Sequence, residues 1–338
     1  MSDHFVAMTE CHFMNPQTMM EVVNYYPNAK RWWKSVDGVL RAWTGPEGIR
    51  GTKGLPVAET LVRYMDEAEV DVAFCLREGM MDVSGGVVSF STNQFMLEQI
   101  KPYPDRLYLE AMVGPILRRG VEHAVWELEF LVEEHGARLC KVYQPEDIGP
   151  LDDPRMWPFY EKACELDIPL TIHTGMAYTC PQPSVHTHPN TLDRVLLDFP
   201  DLKVIAYHMA WPHTEELIGL AGKHPNLYLS LSGVIGWYQR SPYRGYHAIG
   251  TALQWVEPER IVWGLDLPFH DAKRVADWLR TLEMPEELQE KWGYEPITDE
   301  MRAGFLGLNL ARLTGIDTTR RVGKGAKRKS PKAKSEKK

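Results

Sequence analysis

The sequence predicts an α/β chain folded as a (β/α)8 TIM barrel. Three observations predict it. Short apolar runs rich in β-branched and aromatic residues recur along the chain, stretches with helical periodicity separate them, and the runs have few polar interior positions. Strands buried on both faces of a parallel sheet have that composition. Eight such units within about 250 residues suit the barrel. The alternative, a doubly wound open sheet, would place a Gly-rich phosphate turn after the first strand, and no such turn follows it.

Each element has a local reason. The first strand is expected over Phe5–His12, the second over Val70–Leu76 and the third over Leu107–Val113. An amphipathic helix, Val121–His135, follows, and Gly136 closes it as a left-handed cap. The fourth strand is Ala137–Val142; Asp152 and Asp153 then cap a helix over Pro154–Leu166. The fifth strand, Pro169–His173, precedes a helix over Pro189–Phe199 that Pro200 ends. The sixth, Leu202–His208, precedes a helix over Thr214–Lys223. The seventh and eighth, Asn226–Ser232 and Arg260–Asp266, precede helices over His247–Val256 and Ala272–Thr281.

Two regions stand outside the alternation. Residues 15–60 read as a long insertion rich in Trp, Tyr, Gly and Pro, and long structured loops after a barrel strand often serve function. Residues 318–338 read as a disordered basic tail, so one barrel domain is expected over 1–317. The 338-residue chain has a formal charge of −8, but ten Lys and Arg and one acid lie in 320–338. The tail is therefore +9 and the body −17. No run approaches the apolar length of a membrane span. The five cysteines, Cys11, Cys75, Cys140, Cys164 and Cys180, form no C-x-x-C, and the first residues lack a secretory pattern. Reduced thiols in a cytoplasmic protein are expected.

In this barrel the active site lies at the C-terminal ends of the strands. Polar residues crowd there: Glu10 and His12 on strand one, Lys141 on strand four, His173 on five, His208 on six and Asp266 on eight. Glu10 and His12 are two apart on an extended strand and so share a face. With His173 and Asp266 they supply two imidazoles and two carboxylates for one divalent metal ion, Zn or Mn. His208 would stand beside the metal, free to transfer protons or steer a substrate. His186-x-His188 is a competing metal pair, read as a pocket-lining loop in which His188 can touch substrate. Trp32, Trp33 and Trp43 are candidates to close the pocket. Among Arg41, Arg50 and Arg77, Arg77 directly follows a strand and is the candidate counter-charge for an anionic substrate.

Several segments resemble the amidohydrolase superfamily, in particular its metal-dependent decarboxylases. They are the Leu151-Asp152-Asp153-Pro154 turn, the Trp157–Ala163 helix, the Ile172-His173-Thr174-Gly175 strand end, His208-Met209, Gly264–Pro268 and the Asn309–Leu313 helix. The similarity spans roughly residues 55–316. The start Glu10-x-His12-Phe13, with Met14 where many members have a second histidine, resembles the γ-resorcylate and 5-carboxyvanillate decarboxylases. The resemblance implies Glu10, His12, His173 and Asp266 as metal ligands, His208 and Asp266 as catalytic residues, and a homo-oligomer, dimer or tetramer. One departure is Trp211, three residues after His208, where those enzymes carry Glu; it is the candidate for altered substrate contact.

The expected function is nonoxidative decarboxylation of a small aromatic, hydroxybenzoate-like carboxylic acid. A metal-dependent hydrolase of a lactone, ester or amide is the alternative. A non-enzymatic binding protein using its basic tail is a third reading. Nucleic acid is disfavoured as a partner, because the −17 body would repel it and the tail lacks aromatics for base stacking.

Overall fold

The computed structural model describes residues 4–13, 57–77, 79–81, 87–177, 184–267 and 270–319. Most of the expected insertion, Cys180 and the basic tail from Arg320 lie outside them. Eleven strands are present among the described residues: β1 (Ala7–Phe13), β2 (Val72–Arg77), β3 (Gly79–Met81), β4 (Val87–Phe90), β5 (Leu107–Met112), β6 (Leu139–Val142), β7 (Leu170–His173), β8 (Val204–Tyr207), β9 (Leu227–Ser230), β10 (Ile261–Val262) and β11 (Gly264–Leu267). Nine run parallel in the order β10-β9-β8-β7-β6-β5-β2-β1-β11. β10 pairs with β9 and β11 with β1. Only Trp263 separates β10 from β11, so the eighth strand of the barrel closes the ring by pairing on one side with each half.

That break is the main departure from the continuous eighth strand expected at Arg260–Asp266. Trp263 is buried and donates its indole N–H to Leu306 O at 2.9 Å. Beside it, Gly264 lets β11 approach β1, since a Cβ there would lie 2.6 Å from Thr9 Oγ1. The hairpin β3–β4 and the helices Ala58–Ala68, Asn93–Ile100 and Val234–Arg240 were not foreseen. The helix expected from His247 begins at Pro242, where the missing proline N–H costs a first turn nothing. The helix expected from Pro154 opens as a 3-10 turn, and Asp153 accepts the Arg155 N–H at 3.0 Å.

Alternation along each strand divides the interior into two cores. One packs the strands against the outer helices. The other includes Ala7, Val72, Phe74, Leu139, Ile205, Tyr207 and Val262, closed by Leu310, Ala311 and Ile316 of the C-terminal segment. Leu139 and Lys141 are two apart, as are Val72 and Phe74, so these residues line the barrel lumen. Near the strand starts the lumen is apolar; toward the strand ends it turns polar, with Glu110, Lys141 and Thr171 all buried. Cys11, Cys75, Cys140 and Cys164 are free thiols. No helix among the described residues is long and apolar enough to cross a membrane.

Candidate functional site

The polar strand ends meet at the C-terminal mouth of the barrel. Glu10 shows how. Its φ of 58° sits inside β1, and the register with both β2 and β11 shifts there. A bulge of this kind re-aims the side chains beyond it. Before the bulge Ala7 faces the lumen and Met8 the outer helices; beyond it Cys11 and Phe13 face the outer helices. Glu10 and His12 are left on the inner side. His208 and Asp266 also hold left-handed backbone, at φ 64° and 53°. Non-glycine residues adopt that conformation at a cost of order 1–3 kcal/mol each, and such residues cluster at functional sites.

His12 Nε2 lies 3.7 Å from Glu10 Oε1 and 3.6 Å from Asp266 Oδ1. His208 Nε2 is 3.4 Å from Glu10 Oε1 and 2.9 Å from His173 Nδ1. Glu10, His208 and Asp266 each offer a ligand atom within 4.8 Å of the others. Gly233, at φ +66°, makes room for this grouping: a Cβ there would lie 2.4 Å from His208 Nδ1 and 3.0 Å from Asp266 Oδ2. The loop after β9 therefore wraps the site as a backbone wall.

Glu10 is fully buried and both its oxygens are engaged. Lys141 Nζ donates to Oε1 at 2.5 Å, and the Ser232 hydroxyl donates to Oε2. Burial alone would raise the Glu10 pKa, but His208, Lys141 and His12 outweigh it and hold the carboxyl well below the usual range. Lys141 also sits 3.9 Å from the Tyr207 ring centre. Beneath this pair, Glu110 accepts from Thr171 Oγ1 at 2.5 Å and Tyr207 OH at 2.9 Å. Burial raises the Glu110 pKa, against the pull of Lys141. His208 is pushed down to about 4, first by burial and despite Glu10. Burial, with His208 and Lys141, carries His173 well below its ordinary value. His270 is likewise pushed down to about 4 by burial, and it packs where a Cβ on Gly236 would stand.

Of the residues singled out from sequence, the structure brings Glu10, His12, His173, His208 and Asp266 together. It does not bring in Arg77, whose Nε and Nη2 donate to Met112 O at 2.9 Å and Gly114 O at 2.7 Å. Those bonds tie it to the end of β5. His188 pairs with His213 and Glu216 at the rim instead of with His186. Trp211 packs edge-on to Trp237, ring centres 5.3 Å apart. Both tryptophans line a cavity of about 680 Å³, together with His213, Arg244 and His247. Trp32, Trp33, Trp43, Arg41 and Arg50 lie outside the described residues.

Sequence reasoning missed Ser232, Glu110 and His270, and it noted Lys141 without giving it a partner. The signal for Lys141 and Glu110 was present: each interrupts an apolar strand, ARLCKV and LYLEAMV. A charge buried there requires a partner. Ser232 carried no signal, since serine is common at strand ends.

The donors fit a divalent metal ion. Two carboxylates and a set of imidazoles are borderline in hardness, and the carboxylate at the centre is fixed as an anion. The spacing of His12 from both carboxylates is of the order that ligands on one ion share.

The family model for amidohydrolases matches residues 18–316. The chain belongs to the amidohydrolase family. This amidohydrolase is 24% identical over 341 residues to the gamma-resorcylate decarboxylase of Polaromonas sp. (strain JS666 / ATCC BAA-500), covering 86% of this chain and 95% of that one. Among solved structures it resembles a dihydroxybenzoic acid decarboxylase from Polaromonas sp. JS666 with bound manganese and 2-nitroresorcinol. The TM-score is 0.62 at 19% identity, over 92% and 97% of the two chains. It also resembles the 5-carboxyvanillate decarboxylase of Sphingomonas paucimobilis, at TM-score 0.64 and 17% identity over 93% and 100%. These likenesses share the barrel fold.

Proposed function

We propose that this amidohydrolase is a metal-dependent nonoxidative decarboxylase, a carboxy-lyase, of a small aromatic, hydroxybenzoate-like acid. The observation that carries the reading is the convergence of Glu10, His208 and Asp266, with His12 against both carboxylates, at the barrel mouth around a carboxylate locked as an anion. The decarboxylase relatives support the substrate class. One divalent ion, manganese or zinc, would be held by Glu10, His12, His173 and Asp266. When bound, it supplies neutralisation of the acid's carboxylate and neighbouring oxygen. The catalytic unit is one barrel over 1–317; the insertion over about 15–60 and the basic tail from 318 are its appendages. A homo-oligomer in the cytoplasm completes the reading.

The reaction replaces the ring carbon–carboxylate bond by a carbon–hydrogen bond. A proton reaches the ipso carbon, the bonding pair returns to the ring, and CO2 leaves. Glu10 cannot deliver that proton, because Lys141 and Ser232 occupy its oxygens and keep it ionised. Delivery falls to Asp266 in its protonated, unligated form; its side chain is more open to take up a proton, at 19% exposure against 1% for Glu10. His208 is neutral, and its Nε2 stands 2.9 Å from His173 Nδ1 and 3.4 Å from Glu10 Oε1. It positions the ring and stabilises charge developing there. With Arg77 tied to carbonyls, the remaining substrate contacts are assigned to Trp211 and His188.

Family membership keeps hydrolysis as the rival reading, with the same residues acting on a lactone, ester or amide. Manganese-loaded and zinc-loaded protein assayed on 2-hydroxybenzoates and on lactones separates the two. CO2 release is expected, and Asp266→Asn is expected to lower kcat by about 10²–10⁴. Ring-opened lactone without any CO2 from the acids would overturn the decarboxylase reading.

A further inference from the structure

A second convergence of metal-ligating side chains lies in the loops after β7 and β8, and it shares no residue with the Glu10 centre. His188 Nε2 is 3.4 Å and His213 Nδ1 3.3 Å from one and the same atom, Glu216 Oε2. The two rings stand 4.2 Å apart, centre to centre. Each of the three residues offers a ligand atom within 4.8 Å of the others.

These separations are compatible with shared ligation of one ion. A hydrogen-bonded ion pair would bring nitrogen and oxygen to about 2.7–3.2 Å. Metal bonds of about 2.0–2.1 Å in a tetrahedron hold neighbouring ligand atoms about 3.3–3.4 Å apart. Both observed distances match the tetrahedral edge. A simple ion pair also needs one imidazole per carboxylate, whereas here two imidazoles from separate loops aim at one oxygen. The other carboxylate oxygen, Oε1, accepts from Asn190 Nδ2 at 3.0 Å. Outer contacts of that kind orient a ligating carboxylate. The Asn190 backbone N–H reaches His188 Nδ1 only at 3.4 Å, a contact that gives way when Nδ1 carries the ring proton and Nε2 ligates.

We propose that His188, His213 and Glu216 form a rim site for a divalent transition-metal ion. Two imidazole nitrogens and one carboxylate oxygen select a borderline cation such as Zn²⁺ or Co²⁺ over Mg²⁺ or Ca²⁺. Three protein ligands leave a fourth position open. The ion ties the loop after β7 to the first turn of the helix Thr214–Lys223. His188, assigned above as a substrate contact, is shared with the reaction proposed for the barrel mouth, so the test counts bound metal and does not read turnover.

Metal-stripped full-length protein, dialysed against Zn²⁺ and titrated with Co²⁺, tests it by counting bound equivalents. The His188→Ala/His213→Ala double variant is expected to bind one equivalent per chain fewer than its parent. Asn190→Ala is expected to weaken that equivalent about tenfold. The same comparison in a His173→Ala background, which disables the central site, is expected to give the same one-equivalent difference. The side chains are about a third or more exposed, so the fold tolerates their removal, and circular dichroism verifies it. Equal metal content of parent and double variant, in either background, overturns the proposal.

Discussion

The two ends of the barrel lumen are built from the same strands, often from residues two apart, and they are stabilised by opposite means. Toward the strand starts, the side chains of Ala7, Val72, Leu139 and Val262 pack on Leu310 and Ala311 of the C-terminal helix, apolar against apolar. Toward the strand ends, Lys141, Glu10, Ser232 and Glu110 fill an equally buried space with charge. The apolar end gains from area removed from water and from dense packing. At the polar end, desolvation opposes every ionised group, and the arrangement survives only because each has a partner. One end tolerates approximate shape; the other depends on completeness.

The largest effect is expected from unbalancing the polar end. Lys141→Met leaves the Glu10 carboxylate buried opposite no ammonium, and should cost about 3–5 kcal/mol in denaturant unfolding. A variant as stable as the parent would show that the polar end does not rely on this pair. At the apolar end, Leu310→Ala should cost about 2–4 kcal/mol through the cavity it leaves. Its turnover per folded molecule should remain that of the parent; a matching loss of turnover would show that the two ends are coupled. The smallest effect tests shape at the polar end. Gly233→Ala places a Cβ 2.4 Å from His208 Nδ1 on a left-handed backbone, so kcat/KM should fall about 10–100-fold while the chain still folds. Unchanged kinetics would remove Gly233 from the wall of the site.

Much of the barrel was legible because each strand–helix unit is specified locally. The Thr214–Lys223 helix falls where its periodicity placed it, and Asp153 caps the helix its position announced. What escaped was set by neighbours. The eighth strand breaks at Trp263 because the indole is drawn to Leu306 and Gly264 allows β11 against β1. The hairpin β3–β4 and the helix Asn93–Ile100 left too weak a periodic signal in a stretch to which no element was assigned.

The candidate site divides in the same way. Glu10, His12, His173, His208 and Asp266 could be singled out from the chain alone, because ionisable groups at the ends of apolar strands are costly unless they serve chemistry. The order of strands places them at one end of the barrel. Which face Glu10 and His12 present was a different matter. Simple alternation from Ala7 would turn both outward, and the bulge at Glu10 turns them in. Lys141 and Ser232 lie 131 and 222 residues from Glu10, and nothing local to any of the three marks the triad. The sequence by itself determined the alternation of elements and the chemistry carried at the strand ends, since both follow from short-range periodicity and burial. Only the tertiary structure decided which charges neutralise one another and which imidazoles converge, at the mouth and at the rim. Those pairings act through space, between segments that closure of the ring brings together.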